Sequence, residues 1–272
     1  MQKYTIPLII FIILLLTGSI FFRYIKQFNE NNILSFRHEI KPTPTPLRLP
    51  YGTITDTEFD EKKYLIFWIK VPDEATISLI ANFSERIVGE KLAEANNCDL
   101  GINGGYYLDS GRPLGLFINN EDSLGRYVKS SIADAFVWQD KAGDLKIVRT
   151  IPQNLQFTEF IFQTGPYIKP ANRPLKVSRD EYARRSLLGK DFQGNLYLIS
   201  VTSKANLVDG PKLGDIPIIF WQLKQKNLLS LEELINLDGG SASFFFAKDN
   251  LGRLTLTSWA PVGSLMCVKL NY

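Results

Sequence analysis

Apolar and polar positions divide the chain into an N-terminal apolar block, a polar proline-containing stretch, and a long remainder of short apolar runs separated by turn residues. In that remainder, residues 64–71 (YLIFWIKV) and 76–81 are rich in β-branched and aromatic side chains and flank Pro72-Asp73, which predicts two strands. Ile87, Val88, Leu92 and Ala95 recur at helical spacing, so 84–96 reads as a helix with Ser84 as its cap and Asn96-Asn97 as its stop. A short apolar step at 100–102 follows. Further strands are predicted at 133–138, at 145–151 after the turn Ala142-Gly143-Asp144, and at 160–163. Residues 184–189 lead into a hairpin that turns at Gln193-Gly194-Asn195 and returns along 196–201. A second helix is expected over 215–226, with Pro217 limiting its start. Ser230-Leu231-Glu232-Glu233 resembles a capped helical turn before the last apolar run, 234–237.

The N-terminal block, 5–22, carries no charge and lies between Lys3 and the pair Arg23 and Lys26. Its length is near the lower limit for a helix that spans a bilayer, and it exceeds the apolar core usual for a cleaved signal. Residues 1–28 are therefore expected to anchor the chain in a membrane, although basic residues on both flanks leave its orientation open. Residues 29–50 include Lys41-Pro42-Thr43-Pro44-Thr45-Pro46, a tract that favours extended backbone and suits a spacer or an unstructured tail. The folded domain is then 51–272. It is expected outside the cytoplasm, or secreted if the segment is cleaved.

Composition narrows the chemistry. The 45% hydrophobic and 12% aromatic content of the 272 residues suits a chain with a real core. A net charge of +3, from 31 basic and 28 acidic residues, gives no support for a nucleic-acid partner. The only histidine, His38, falls in the spacer, so the domain lacks the imidazole base of Ser-His-Asp and Cys-His systems. Zinc sites built from Cys and His are disfavoured for the same reason. Carboxylates, Tyr, Lys and Arg remain. Cys98 and Cys267 either bridge or stay as two buried thiols.

Two strand ends stand out. LINLDGGSAS delivers Asp238 to the end of an apolar run beside Gly239 and Gly240, and Asn103-Gly104-Gly105-Tyr106-Tyr107 repeats the arrangement earlier. Either could be a simple turn, since Asp-Gly and Asn-Gly pairs are common there. Two such ends in one chain weigh towards a shared pocket, in which backbone amides meet a polar group and Tyr106 offers a ring face.

In order, NGGYY at 103–107 with the following PLG, QTGP at 163–166, RSLLG at 185–189 and NLDGGSAS at 236–243 resemble the motif set of the phosphodiester glycosidase family, over roughly 64–272. The resemblance implies an α+β fold: mixed, largely antiparallel sheets with flanking helices in one globular domain, which here would follow the N-terminal transmembrane segment expected from the apolar block. It also implies hydrolysis of a sugar-1-phosphodiester at the glycosidic carbon. Carried over, Asp238, Arg185 and Asn103 would be catalytic, and Gly104, Gly105, Tyr106, Thr164, Gly165, Gly239, Gly240 and Ser241 would bind substrate. The family's Asp-Gly-Arg after the central strand is absent, since 200–203 reads SVTS, so a substrate-positioning arginine is missing there.

The chemistry agrees in kind. Glycosidic cleavage commonly uses two carboxyl groups, yet a phosphate leaving group needs little protonation, and an arginine fork suits it. Asp109 is a second carboxylate near the first motif, although an ordinary loop position is the plainer reading. No cofactor is expected. A divalent metal stays open, as do two other functions: a non-catalytic carbohydrate-binding module and a metal-dependent phosphoesterase with Asp238 as ligand. The expected partners are a phosphate-linked carbohydrate and the membrane.

Overall fold

The computed structural model describes residues 48–271. The apolar run 5–22, the proline tract and His38 lie outside the described residues. Among the described residues no helix is long and apolar enough to cross a membrane. In chain order the elements are β1 (Thr53–Phe59), β2 (Lys62–Lys70), β3 (Thr76–Ala81), α1 (Gly89–Ala95), β4 (Leu100–Asn103), β5 (Phe117–Asn119), β6 (Asp122–Gly125), β7 (Ala135–Asp140), β8 (Leu145–Val148) and β9 (Thr158–Thr164). Then come β10 (Tyr167–Ile168), β11 (Arg185–Lys190), β12 (Leu196–Ser203), α2 (Ile216–Gln225), β13 (Glu233–Asn236), β14 (Phe245–Asp249), β15 (Gly252–Leu256) and β16 (Ser264–Lys269).

The strands form three sheets, ordered β1-β2-β12-β11-β13-β10, β15-β14-β4-β16-β3 and β6-β5-β9-β7-β8. Every pairing between these strands is antiparallel, so the sheets are less mixed than expected. The period-2 pattern explains the layering. Along β2, Phe67 and Ile69 face a central core shared with Ile102, Phe162, Leu188, Phe245 and Met266 of the other strands. On the opposite face, Tyr64 and Ile66 join Leu187, Ile199 and Val201 beneath α2. Helix α2 buries Ile216, Ile219, Phe220 and Leu223 there, at i, i+3, i+4 and i+7, with Pro217 harmless in its first turn.

Two local expectations fail for visible reasons. The first helix starts at Gly89 rather than Ser84, because Arg86 has φ of +53° and Asn82 holds the preceding turn, accepting from Ile87 N at 3.2 Å and donating to Ile87 O at 2.8 Å. Residues 230–233 make no helical turn. Leu231 is buried and Glu232 N donates to Lys190 O at 2.8 Å, so this segment already follows the sheet edge into β13. Cys98 and Cys267 form a disulfide that ties the start of β4 to β16, its neighbour in the sheet.

Candidate active site

Strands β4 and β13 belong to different sheets, and their ends meet. Asp238 N donates to Gly104 O at 3.1 Å, and Asn103 Nδ2 donates to Asp238 O at 2.7 Å. Asn103 also accepts from Phe244 N at 2.9 Å. This side chain is 1% exposed and wholly engaged with backbone, so its geometry is that of a clamp between the two glycine motifs.

A second clamp comes from an amide to which the sequence reading gave no role. Asn236 Nδ2 donates to Tyr106 Oη at 2.6 Å, to Gly165 O at 3.1 Å and to Leu237 O at 2.6 Å, while Thr164 Oγ1 donates to Asn236 O at 2.9 Å. Tyr106 Oη in turn donates to Gly165 O at 2.6 Å. Thr164, Gly165 and Tyr106 are thus brought to Asp238 as its framework. The Tyr106 hydroxyl is pushed well up, first by burial and then by the charge of Asp238. An Asn inside the apolar run LINLD, like Gln163 inside FIFQTG, is the kind of signal that identifies such struts, since a buried amide requires partners.

The Asp238 carboxyl is pushed up to about 7 by burial, against the opposing hydrogen bond from Gly239 N at 3.0 Å. Gly239 and Gly240 then turn the chain, with Gly240 at φ of +60°, a conformation that favours glycine. A Cβ at Gly240 would have only Ala183 Cβ, at 4.0 Å, within reach. The loop is open on that side.

Arg185 enters from β11. Its Nε donates to Pro211 O at 3.0 Å, Nη2 donates to Glu181 O, and Asp180 Oδ1 lies 3.5 Å away. Asp180 is itself fixed by Leu213 N at 2.8 Å and Gly214 N at 2.6 Å. Arg185 Nη1 points to the glycine loop, 3.8 Å from where a Cβ on Gly239 would sit. Burial lowers the Arg185 pKa and Asp180 opposes that shift. Arg184, next to it, is buried with Nη2 donating to Ser243 O and Thr257 O, and burial lowers its pKa to about 10. It holds the far end of the same loop, where Ser243 and Ser186 share a hydrogen bond of 2.6 Å.

A cavity of about 750 Å³ lies beyond Tyr107, lined by Leu108, Arg112, Pro113, Leu124, Arg126 and Val128 among others; Asp238 does not line it. Asp109 is exposed, and its charge acts on the Tyr107 hydroxyl as that of Asp238 does. Among the described residues no group of three or more His, Cys, Asp or Glu is arranged to hold a metal ion. The positions 200–203 lie in β12, with Ser200 and Thr202 buried.

A model of the phosphodiester glycosidase family matches residues 96–269, a span that contains both glycine motifs and Arg185. The chain belongs to the phosphodiester glycosidase family. The matching span therefore includes every clamp described above. The fold is similar to that of the zebrafish N-acetylglucosamine-1-phosphodiester alpha-N-acetylglucosaminidase catalytic domain auto-inhibited by its pro-peptide, with TM-score 0.57 and 18% identity over 84% of this chain and 85% of that one. It is also similar to a hypothetical protein from Synechocystis, with TM-score 0.53 and 13% identity over 81% of this chain and 62% of that one. No curated protein matches in sequence.

Proposed function

We propose that this phosphodiester glycosidase family member hydrolyses a sugar-1-phosphodiester at the glycosidic carbon, with Asp238 as the reacting carboxylate and Arg185 as the phosphate contact. The observation that carries the reading is geometric: a half-buried carboxyl, which burial pushes up to about 7, stands beside Gly240, open on one side, and a guanidinium with one nitrogen turned to the same loop. In the reaction the bond from the sugar carbon to the phosphate oxygen breaks, and the phosphate monoester leaves with the electron pair. Its low basicity removes the need for a strong acid. Ionised Asp238 faces the cationic sugar and accepts the proton of the attacking water. Because Arg185 Nε and Nη2 are occupied, its contact to phosphate runs through Nη1. Asn103, Asn236 and Tyr106 position the carboxylate.

The test is incubation of the protein with a panel of sugar-1-phosphodiesters, with and without chelator. Release of free sugar that survives chelation supports the reading. Binding without release supports a carbohydrate-binding module, and chelator-sensitive phosphate-side cleavage supports a metal-dependent phosphoesterase. Arg185→Lys should raise KM for the diester about tenfold and leave binding of free sugar alone, since the separate guanidinium nitrogens reach Pro211 O, Glu181 O and the phosphate at once and a single ammonium cannot.

The same reading has 1–28 as a membrane anchor, 29–50 as a spacer and 51–272 as the catalytic domain outside the cytoplasm. The Cys98–Cys267 disulfide supports it, because such bridges persist in oxidising compartments. Protease added to intact cells should release the domain; protection until lysis would reverse the orientation.

A further inference from the structure

The segment after β15 is anchored along its backbone, yet it presents one large apolar ring to solvent. Ser258 Oγ accepts from Gly89 N at 2.9 Å, Tyr107 Oη donates to Pro261 O at 2.7 Å, and Asn82 Nδ2 donates to Val262 O at 2.6 Å. Between these points Trp259 N and Ala260 N both donate to Ser241 O, at 2.8 and 3.0 Å. Ser241 is the residue after Asp238-Gly239-Gly240, and the Tyr107 hydroxyl is pushed up by burial and by the charge of Asp238. The segment therefore runs along the rim of the site, between the two glycine motifs.

Its side chains are treated unequally. Ser258 and Val262 are buried, whereas Trp259 is 71% exposed and its indole has no hydrogen bond or ring contact among the described residues. Trp68 and Trp138 behave differently: each indole N–H donates to a threonine hydroxyl, Thr55 at 3.0 Å and Thr158 at 2.9 Å. A single exposed apolar side chain needs no explanation by itself. An indole whose backbone is fixed to the loop that carries the reactive carboxylate does, because its position is set while its face stays uncovered. A sugar ring has an apolar face of matching size. Tyr106 cannot take that part, since it is half-buried and its hydroxyl is committed to Gly165 and Asn236.

We propose that Trp259 is the platform on which the pyranose ring of the substrate stacks, so that the glycine loop receives sugar on the Trp259 side and phosphate on the Arg185 side. The inference rests on the hydrolase reading for the identity of the ligand and assigns a specificity-determining residue to that site. It makes the indole selective for the ring and indifferent to the phosphate.

The experiment uses the full chain, its Trp259→Ala and Trp259→Phe variants, and three probes: N-acetylglucosamine 1-phosphate, free N-acetylglucosamine and dimethyl phosphate. Wild-type indole fluorescence should change on adding either sugar and stay constant with dimethyl phosphate. Trp259→Ala should weaken binding of both sugars about tenfold, and Trp259→Phe, which keeps an aromatic face but not the indole, should bind within about threefold without the fluorescence change. On any diester that turns over, Trp259→Ala should raise KM with kcat little altered. Equal sugar affinity in wild type and Trp259→Ala, or no sugar binding by wild type, overturns the platform. Turnover of a diester together with that equality leaves the hydrolase reading intact, while Trp259-dependent sugar binding without turnover of any diester removes the hydrolase reading and keeps the platform.

Discussion

At Asn103-Gly104-Gly105 the absent side chains make room for protein, whereas at Asp238-Gly239-Gly240 they leave a loop that faces outwards. A Cβ on Gly104 would sit 2.1 Å from Ser264 Oγ, and one on Gly105 would sit 2.9 Å from Gln163 O. On Gly239 the nearest atom would be Arg184 O at 3.2 Å, and on Gly240 nothing would come closer than 4.0 Å. The polar residue before each pair differs in the same sense. Asn103 spends its amide on backbone, while the Asp238 carboxylate accepts one hydrogen bond from Gly239 and is otherwise uncommitted. Two motifs of the same appearance thus differ in what they do: one packs against protein, and the other presents a carboxyl group, the one proposed to react.

That division is broken most sharply at the two polar residues. Asp238→Asn preserves shape and should lower kcat by about 1,000-fold or more, with sugar-phosphate binding within a few-fold, because a group acting in the transition state appears in the rate. Asn103→Asp keeps the shape at the other motif but replaces the Nδ2 donor with an acceptor. Its effect should appear first in thermal stability. Stopped assays and melting curves on both proteins decide the matter: near-normal turnover by Asp238→Asn would remove Asp238 from the mechanism.

The glycines give the next largest contrast. Gly104→Ala forces a methyl against a buried hydroxyl and should destabilise by about 2–3 kcal/mol, lowering Tm by roughly 5–10 °C. Gly239 has φ of −118°, which any residue can adopt, and its Cβ would meet Arg184 O at 3.2 Å rather than 2.1 Å, so Gly239→Ala should cost less Tm than Gly104→Ala and act on substrate affinity as well. Equal losses of Tm would erase the distinction between packed motif and open loop.

What the sequence makes legible follows from the same contrast. The strand ends, the strand β3 and the apolar stripe of α2 are local patterns, and period and turn residues reveal them. The meeting of β4 with β13 is not local: Asn103 and Asp238 lie 135 positions apart and touch only because the ends of strands from two different sheets come together. The same holds for Trp259, which carries no motif of its own and acquires meaning from Ser241. Asn236 and Gln163 were visible as polar residues in apolar runs, but nothing local shows whether a buried amide is strut or ligand. The family motif drew both glycine pairs into one list of substrate contacts. Packing separates them.

The raised carboxyl supplies a pH test. Folded Asp238 keeps its proton up to about 7, against 3.8 as its ordinary value, so between those limits the folded state binds more protons than the unfolded one. Stability from this group is fully present below about 3.8 and is lost as pH rises through about 7. Wild type should therefore be less stable at pH 8 than at pH 5 by roughly 2 kcal/mol from this cause, and Asp238→Asn should lack that slope and melt higher at pH 8. Activity runs the other way, since the ionised form reacts: kcat/KM should rise with pH and level off above about 7. A falling limb through the same range would make Asp238 an acid instead.

The smallest effect is expected at Tyr106, where it separates strut from contact. Tyr106→Phe removes the hydroxyl that joins Asn236 to Gly165 and keeps the ring. Asn236 Nδ2 retains Gly165 O and Leu237 O as acceptors, so the loss should be near the net worth of a hydrogen bond, about 1 kcal/mol. Turnover and KM should stay within about threefold, because the carboxylate is still held by Asn103 and by its own strand. A rise of KM well beyond that, with Tm unchanged, would mean that the hydroxyl meets the substrate directly, and the first glycine motif would then share the chemistry assigned here to the second.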